Sequence, residues 1–270
     1  MKYSIGEFAE MIGVTTDTLR LYEKYNIIKP LRDENNNYRY YDDLDVRNIL
    51  WSRWYRSLDV PLEEVATFVN SPNKDEILNR IQKTQEDLKK EIMEKMLLLN
   101  RVKEIVDNIE EIDSQLNKCS IKNTSGIYRL KQTYINTLID DDRIKNAVDE
   151  WMELLPYAFF SFKIDKEDFF SNSECLKYNW GLGIKESDVN NLKVKIYDYI
   201  EYIPPKKCVS SIILSPNDQC FERNLFQFMI DYIKRNNYSI EGDIFGKIII
   251  TIKDGEEMKT YLEVNIPIER

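Results

Sequence analysis

Thr18-Leu19-Arg20-Leu21-Tyr22-Glu23, followed by Ile27-Ile28-Lys29-Pro30 and then Asn37-Tyr38-Arg39-Tyr40-Tyr41, decides the fold of the first part of this 270-residue chain. Just upstream, Ser4 with Glu7 three residues later forms a capping-box pattern that opens a first helix, its apolar positions Phe8 and Ile12 turned to a core. Gly13 suits the left-handed cap that ends such a helix. Thr15 is a good N-cap for a second helix over 15–24, in which Leu19 is expected inside while Thr16, Arg20 and Tyr22 project outward. Two short helices joined by a glycine turn make a helix-turn-helix, with the second helix placed to enter a major groove.

Working outward, the run 33–37 has no apolar residue to bury and is rich in Asn, so it reads as a turn between two extended pieces. Tyr38, Arg39 and Tyr41 leave that turn together, as in a wing that lays a guanidinium and phenolic hydroxyls against phosphates. Asp42 and Asp45 form a second capping box, opening a helix with Val46, Ile49 and Leu50 as its expected buried stripe. Trp51, Trp54 and Tyr55 are expected in the core, and Arg53 and Arg56 as contacts to a nucleic-acid backbone. A turn at 59–61 then starts a helix over 62–69.

This succession over about the first seventy residues resembles the MerR family of transcriptional regulators. The resemblance implies a winged helix-turn-helix head with Thr15, Thr16, Arg20, Tyr22, Tyr38, Arg39, Tyr41, Arg53 and Arg56 as candidate DNA contacts. Where the family usually has Gly, this chain has Asn26, Asn37 and Asp59, the residue types that best tolerate positive φ after glycine. The family's Arg-Tyr-Tyr-Glu string carries Leu21 in place of its first Tyr, leaving Arg20 and Tyr22.

Charge constrains how such a head binds. The chain has 38 Lys+Arg against 47 Asp+Glu, a formal net charge of -9. Residues 1–70 hold nine basic and twelve acidic residues, whereas the stretch 20–56 holds eight basic and six acidic. Binding is therefore expected to depend on positioned contacts more than on bulk attraction.

From 75 to 118 neither Pro nor Gly occurs, as a long helix requires. With Leu99 at position a, nine of the twelve a and d positions between 78 and 116 are apolar: Leu78, Ile81, Leu88, Ile92, Leu99, Val102, Val106, Ile109 and Leu116. Such a helix would run roughly 65 Å at about 1.5 Å per residue. Its seam, with Leu88, Ile92, Leu99, Val102, Val106 and Ile109 at its centre, is expected to pair with a second copy; packing along its own C-terminal domain is the alternative. The family resemblance implies an antiparallel pair.

After Cys119 the composition changes. Strands are expected over 127–132, 157–164 and 178–184, with a helix over 141–155; β-rich segments over 193–202 and 206–214 precede a helix over 218–235 and strands over 238–252 and 260–266. Two halves of mixed strand and helix imply an α+β domain with a cleft between pseudo-symmetric repeats. The ending Asn237-Tyr238-Ser239-Ile240-Glu241-Gly242 through Phe245, then Leu262-Glu263-Val264-Asn265-Ile266-Pro267-Ile268, resembles the gyrase-inhibitor-like effector-binding domain of multidrug-sensing MerR relatives. That resemblance implies a small apolar, often aromatic and cationic, effector. Trp151, Tyr157, Phe160, Phe162, Tyr178, Trp180, Tyr197 and Phe245 are candidates to line its site, since flat rings give contact area and hold cations over their faces. The branch often carries a Glu after the aromatic aligned with Phe245, and here that position is Gly246. A cationic effector would then need another carboxylate, Glu153 or Glu201; otherwise the effector is neutral or weakly charged.

The chain has no His, which removes Ser-His-Asp and Cys-His catalysis and the usual zinc ligand set. Cys119, Cys175, Cys208 and Cys220 show no C-x-x-C spacing and read as reduced thiols of a cytoplasmic protein. No cofactor or metal is expected, nor any signal peptide or membrane span. The architecture expected is an α+β multidomain protein: a winged helix-turn-helix over 1–72, a dimerisation coiled-coil helix over 73–119 and an α+β effector-binding domain over 120–270. The function expected is a homodimeric, ligand-responsive regulator that binds a pseudo-palindromic promoter and distorts its spacer, reaching RNA polymerase only indirectly. Two rivals are a small hydrolase using a Glu and a Tyr in the cleft, and a ligand-independent DNA-binding scaffold.

Overall fold

The computed structural model describes residues 3–270 apart from 34–37, 136, 172, 174 and 216–220. The chain divides into two compact units, Met1–Met96 and Leu97–Arg270.

In the first unit, helix α1 (Ile5–Ile12) is opened by the expected capping box: the Ser4 N–H donates to the Glu7 carboxylate at 2.9 Å, and Gly13 closes the helix at φ +66°. Helix α2 (Thr16–Lys24) is capped by Thr15, whose hydroxyl accepts from the Thr18 N–H at 3.1 Å. Strands β1 (Tyr3–Ser4), β2 (Leu31–Arg32) and β3 (Arg39–Tyr41) form a small antiparallel sheet in the order β1-β3-β2. Helices α3 (Asp43–Arg56) and α4 (Leu62–Asn70) follow, α3 opened by reciprocal Asp42 and Asp45 bonds. Asn26 at φ +57° and Asp59 at φ +56° adopt the left-handed conformation read from their residue types. Asn37 and the rest of the 34–37 turn lie outside the described residues.

Four expectations for this unit are corrected. Tyr22 does not project outward but joins a core with Phe8, Leu19, Ile27 and Ile49. Tyr41 is fully buried and stacks on Phe8 with ring centroids 4.8 Å apart. On α3 the inward stripe runs through Asp45, Ile49 and Ser52 to Tyr55, a helical i, i+4, i+7 spacing. That spacing turns Leu50 outward and leaves Trp51 and Trp54 on the surface, 51% and 46% exposed.

The long helix α5 (Lys74–Glu110) stops eight residues short of the expected end. A break at Glu111 separates it from the single turn α6 (Ile112–Gln115). In the second unit the chain then runs through β4 (Ser120–Asn123), β5 (Ile127–Lys131), the small hairpin β6 (Thr133–Tyr134) and β7 (Thr137–Leu138), α7 (Asp142–Met152), β8 (Phe159–Ile164), α8 (Lys166–Phe169), β9 (Cys175–Leu176), β10 (Asn179–Lys185) and α9 (Glu186–Leu192). It continues with β11 (Glu201–Ile203), β12 (Lys207–Ser215), β13 (Phe221–Glu222), α10 (Gln227–Arg235), β14 (Ser239–Ile240), β15 (Ile244–Asp254) and β16 (Glu257–Glu269).

The main sheet is antiparallel in the order β11-β5-β10-β8-β15-β16-β12-β4, with β14 on β16. Outward from the β8·β15 pair, each half meets the strand after its helix, then the next strand, then the strand before the helix. Trp151 and Ala147 of α7 pack on Leu130, Leu182 and Ile184. Met229 and Ile233 of α10 pack on Phe162, Ile164, Val264 and Ile266. Successive strand residues face opposite sides, so the residues between these apolar ones, such as Arg129, Ser161, Lys163, Lys247, Glu263 and Asn265, are turned to the other face.

Within the segment expected to be β-rich over 193–202, only β11 at its end is a strand. The helix expected over 218–235 is a 3-10 turn (Arg223–Phe226) followed by the shorter α10, its first residues lying outside the described ones. Cys119 and Cys208 are free thiols, as expected, but Cys175 is held in a disulfide; Cys220 lies outside the described residues.

The Tyr41 hydroxyl is buried with no hydrogen-bond partner among the described residues. Removing an unsatisfied polar group relieves its desolvation cost, so Tyr41→Phe is expected to be neutral or stabilising by up to about 1 kcal/mol, whereas Phe8→Ala should cost about 3–5 kcal/mol. Urea unfolding of the protein followed by tryptophan fluorescence checks both.

Candidate functional site

The first site is the face of the head built from α2 and the strands. Arg20 stands at the exposed outer side of α2, its Nη1 2.9 Å from the Asp17 carboxylate one turn earlier. Glu23, on the same helix, accepts Arg39 Nε at 2.8 Å and Arg32 Nη2 at 3.3 Å. One carboxylate thus ties two guanidiniums of the adjoining strands to the second helix and fixes where they point. Tyr38 is 67% exposed beside them. Thr16 is half-buried, and Thr15 spends its hydroxyl on the helix cap. Arg53 Nη1 donates to the Ile12 carbonyl at 3.3 Å and Arg56 Nη1 to the Val60 carbonyl at 2.8 Å, so both exposed side chains are held against neighbouring turns. Arg20 and Arg39 are therefore brought to one face, with Tyr38 exposed next to Arg39 in the chain, while Tyr22 and Tyr41 are packed in the core beneath. Sequence reasoning missed Glu23 and Arg32; the pairing of Arg32 with Arg39 across β2·β3 is what brings them together.

The second site is a cavity of about 220 Å³ in the second unit, on the face of the sheet opposite α7 and α10. Its floor carries Arg129 of β5, Ser161 of β8, Phe245 and Lys247 of β15, and Glu263 and Asn265 of β16. Part of its wall is Glu104 and Asn108 of α5. These two share a face of α5 with Arg101, whose Nε donates to the Pro156 carbonyl at 2.9 Å. Leu99, Val102, Val106 and Ile109 are exposed on the other side of the same helix.

Of the nine expected effector residues, Phe162 and Phe245 line this cavity. Glu201 lines a smaller neighbouring one with Phe245, Lys163 and Asp243. The rest go elsewhere. Trp151 is fully buried under α7, Tyr178 and Trp180 pack around Phe221, and Phe160 is exposed away from the cavity. Tyr197 stacks on Tyr199 and donates its hydroxyl to Glu150 at 3.0 Å, and Tyr157 follows the α7 turn outside the lining. Glu153 is exposed and Glu201 is held 2.6 Å from Lys163, so neither supplies a carboxylate to the main cavity. No tyrosine is among the described residues that line it, which removes the Glu-Tyr acid-base pair from this cavity.

At Gly246 of β15 the backbone of β16 and the Phe162 ring come close. A Cβ there would meet the Glu263 carbonyl oxygen at 2.0 Å and the Phe162 ring at 2.5 Å, so the position has no room for a glutamate. Carboxylates reach the cavity from Glu104 and Glu263 instead. Lys247 Nζ lies 3.2 Å from Glu263 Oε2 and 3.9 Å from Glu104 Oε1, and Lys185 and Arg101 also bond Glu104. Burial pushes both carboxyls up, but Lys185, Arg101 and Lys247 around Glu104, and Lys247 with the Asn265 amide beside Glu263, outweigh it and hold both below the usual range. These residues were invisible in sequence because they lie on α5 and on strands whose register is set by long-range pairing.

Carboxyls whose folded pKa is lowered stabilise the folded state fully above their unfolded value of about 4.5 and lose that contribution as pH falls through the folded value. The unfolding temperature of the second unit is therefore expected to hold from neutral pH to about pH 5 and to fall below about pH 4.5, and Lys247→Met is expected to flatten that fall. Calorimetry at stepped pH checks it.

Comparison with known proteins bears on the head. Residues 4–41 match the family described as MerR family regulatory protein. The HTH-type transcriptional activator TipA of Streptomyces coelicolor is 35% identical over 75 residues, 28% of this chain and 30% of TipA. The HTH-type transcriptional regulator CueR of Escherichia coli O6:H1 is 29% identical over 115 residues, 43% of this chain and 76% of CueR. The match thus spans under a third of TipA. Among solved structures, the EcmrR–DNA complex aligns with 99% of this chain and 100% of its own at 16% identity and a TM-score of 0.36, a loose likeness. No helix among the described residues is long and apolar enough to cross a membrane. The sequence match and the capped helix pair coincide: residues 4–41, which hold α1, α2 and the small sheet, are similar to MerR family regulatory proteins.

Proposed function

We propose that this protein is a ligand-responsive, DNA-binding transcriptional regulator working as a homodimer in the cytoplasm. The observation that carries the reading is the head: a family match over residues 4–41 on a helix pair that exposes Arg20 and, through Glu23, holds Arg39 of the adjoining strand. In this reading α2 enters the major groove, the turn and strands around Tyr38 and Arg39 act as a wing on the backbone, and Arg53 and Arg56 brace it. The organisation is a head over 1–72, a dimerisation helix over 73–119 and an effector domain of two pseudo-symmetric repeats over 120–270.

Dimerisation is supported by the exposed seam Leu88, Ile92, Leu99, Val102, Val106 and Ile109 on a 37-residue helix, an apolar stripe too long to leave in water. Effector response is supported by the cavity wall. Glu104 and Asn108 line the cavity on the same helix whose far side carries the seam, so a ligand that alters the Glu104 ion pairs acts directly on the dimer helix. In the mechanism implied by the family resemblance, this distorts the promoter spacer at a cost of a few kcal/mol of DNA deformation, and RNA polymerase then engages both promoter elements. TipA, named a transcriptional activator, matches over the head alone, so its activity transfers here only as part of this proposal.

Fluorescence anisotropy of the full protein on a duplex from upstream of its own gene, against a scrambled duplex over a salt series, tests the reading. The expected result is dimer binding with a large specificity ratio. Arg39→Ala should weaken binding and reduce the salt slope by about one phosphate contact, and Arg20→Ala should also narrow the ratio. Equal and weak binding to both duplexes, unchanged in the variants, would sink the proposal.

A further inference from the structure

The cavity holds four cations, Lys122, Arg129, Lys185 and Lys247, against two carboxylates, Glu104 and Glu263. Both carboxylates are already matched inside the protein, Glu104 by Lys185 and Glu263 by Lys247. Lys247 faces Glu263 directly across β15·β16, so the place a ligand cation would take beside that carboxylate is filled by a side chain of the chain itself. The other two, Lys122 and Arg129, have only the longer ion pairs, of 3.8 Å and 3.7 Å, with carboxylates outside the cavity lining. Lys122 lies 3.8 Å from Glu111, which does not line the cavity, and also acts electrostatically on Glu263.

Arg129 is the stronger observation. It is 1% exposed, with Nε donating to the Ser161 hydroxyl at 3.0 Å and Nη2 to the Asn179 carbonyl at 2.9 Å. Its Nη1 has no hydrogen-bond partner among the described residues and is ion-paired with Glu201 Oε2 only at 3.7 Å. Burial lowers its pKa to about 10, against the pull of Glu201, so it keeps its charge at neutral pH. A buried guanidinium with a vacant donor is costly unless something accepts from it. Beside it the cavity offers apolar surface from Ile127, Phe159, Ile203 and Phe245.

We infer that this cavity takes an aromatic carboxylate, its anion held by Arg129 and Lys122 and its ring laid on Phe159 and Phe245. The inference rests on the effector reading above and fixes the charge of the effector, opposite to the cations that the family resemblance implies.

Three probes with one ring system and different charge separate the outcomes: 1-naphthoate, its neutral methyl ester, and 1-naphthylmethylammonium, each titrated into the full-length protein by calorimetry. The expected result is saturable 1:1 binding of naphthoate per chain, with the ester weaker by about tenfold, the loss of one charge-assisted contact, and no binding of the ammonium. Lys122→Gln, at a half-exposed position where folding is not at risk, should weaken naphthoate several-fold and narrow its advantage over the ester. Lys247→Met, which frees Glu263, should admit the ammonium. Equal binding of acid and ester, preference for the ammonium, or no binding of any probe each overturns the inference. The same probes added to the anisotropy assay test the regulator reading separately: naphthoate that binds without altering the DNA complex leaves the charge assignment standing and removes the response.

Discussion

The second unit is organised around one carboxylate. Glu104 on the long helix is met by Arg101 from its own helix, by Lys185 at the end of β10 and by Lys247 of β15, so a helix and two strands converge on a single pair of oxygens. Glu104 and Lys185 are each about a third exposed, and partly buried charges of this kind are stabilised by being paired. Removing the carboxylate would leave three cations facing one another, so the contact fixes which face of α5 lies on the sheet. With that face fixed, Asn108 follows one turn later into the cavity wall, and Leu99, Val102, Val106 and Ile109 are left outward.

The head obeys a different constraint, the burial of flat rings in a small volume. Phe8 and Tyr41 stack nearly parallel at 10° between planes, joining the first helix to the last strand. Tyr22 and Tyr55 fill the same core from α2 and α3. With the aromatic bodies spent on packing, recognition passes to the guanidiniums, and Glu23 positions two of them by accepting from both. A net-acidic protein can in this way present a directed basic face, because its acidic residues orient the basic ones instead of only opposing them.

Local signals were legible because they are local. Ser4 with Glu7, Gly13, Thr15, and Asp42 with Asp45 each act within one helical turn, and Asn26 and Asp59 announce their backbone conformation by residue type. The long helix followed from a run without Pro or Gly, although its end at Glu110 did not. The tryptophans of α3 were misread because bulk alone was weighed; the inward stripe through Ile49, Ser52 and Tyr55 decides which side is buried. The aromatic residues of the second unit were misassigned for a related reason: composition counts rings but does not say which face of a sheet they occupy.

The sequence by itself determined the head, the order and kind of most elements, and the apolar seam, since these depend on spacing along the chain. Only the tertiary structure decided the cavity. Arg129, Lys247 and Glu263 lie on three different strands and Glu104 on a helix, and the strand residues share a face because β5 pairs with β10, β10 with β8, β8 with β15 and β15 with β16 in fixed registers. A shift of one residue would turn every one of these strand residues to the opposite face, and that register is set by the packing of the whole sheet.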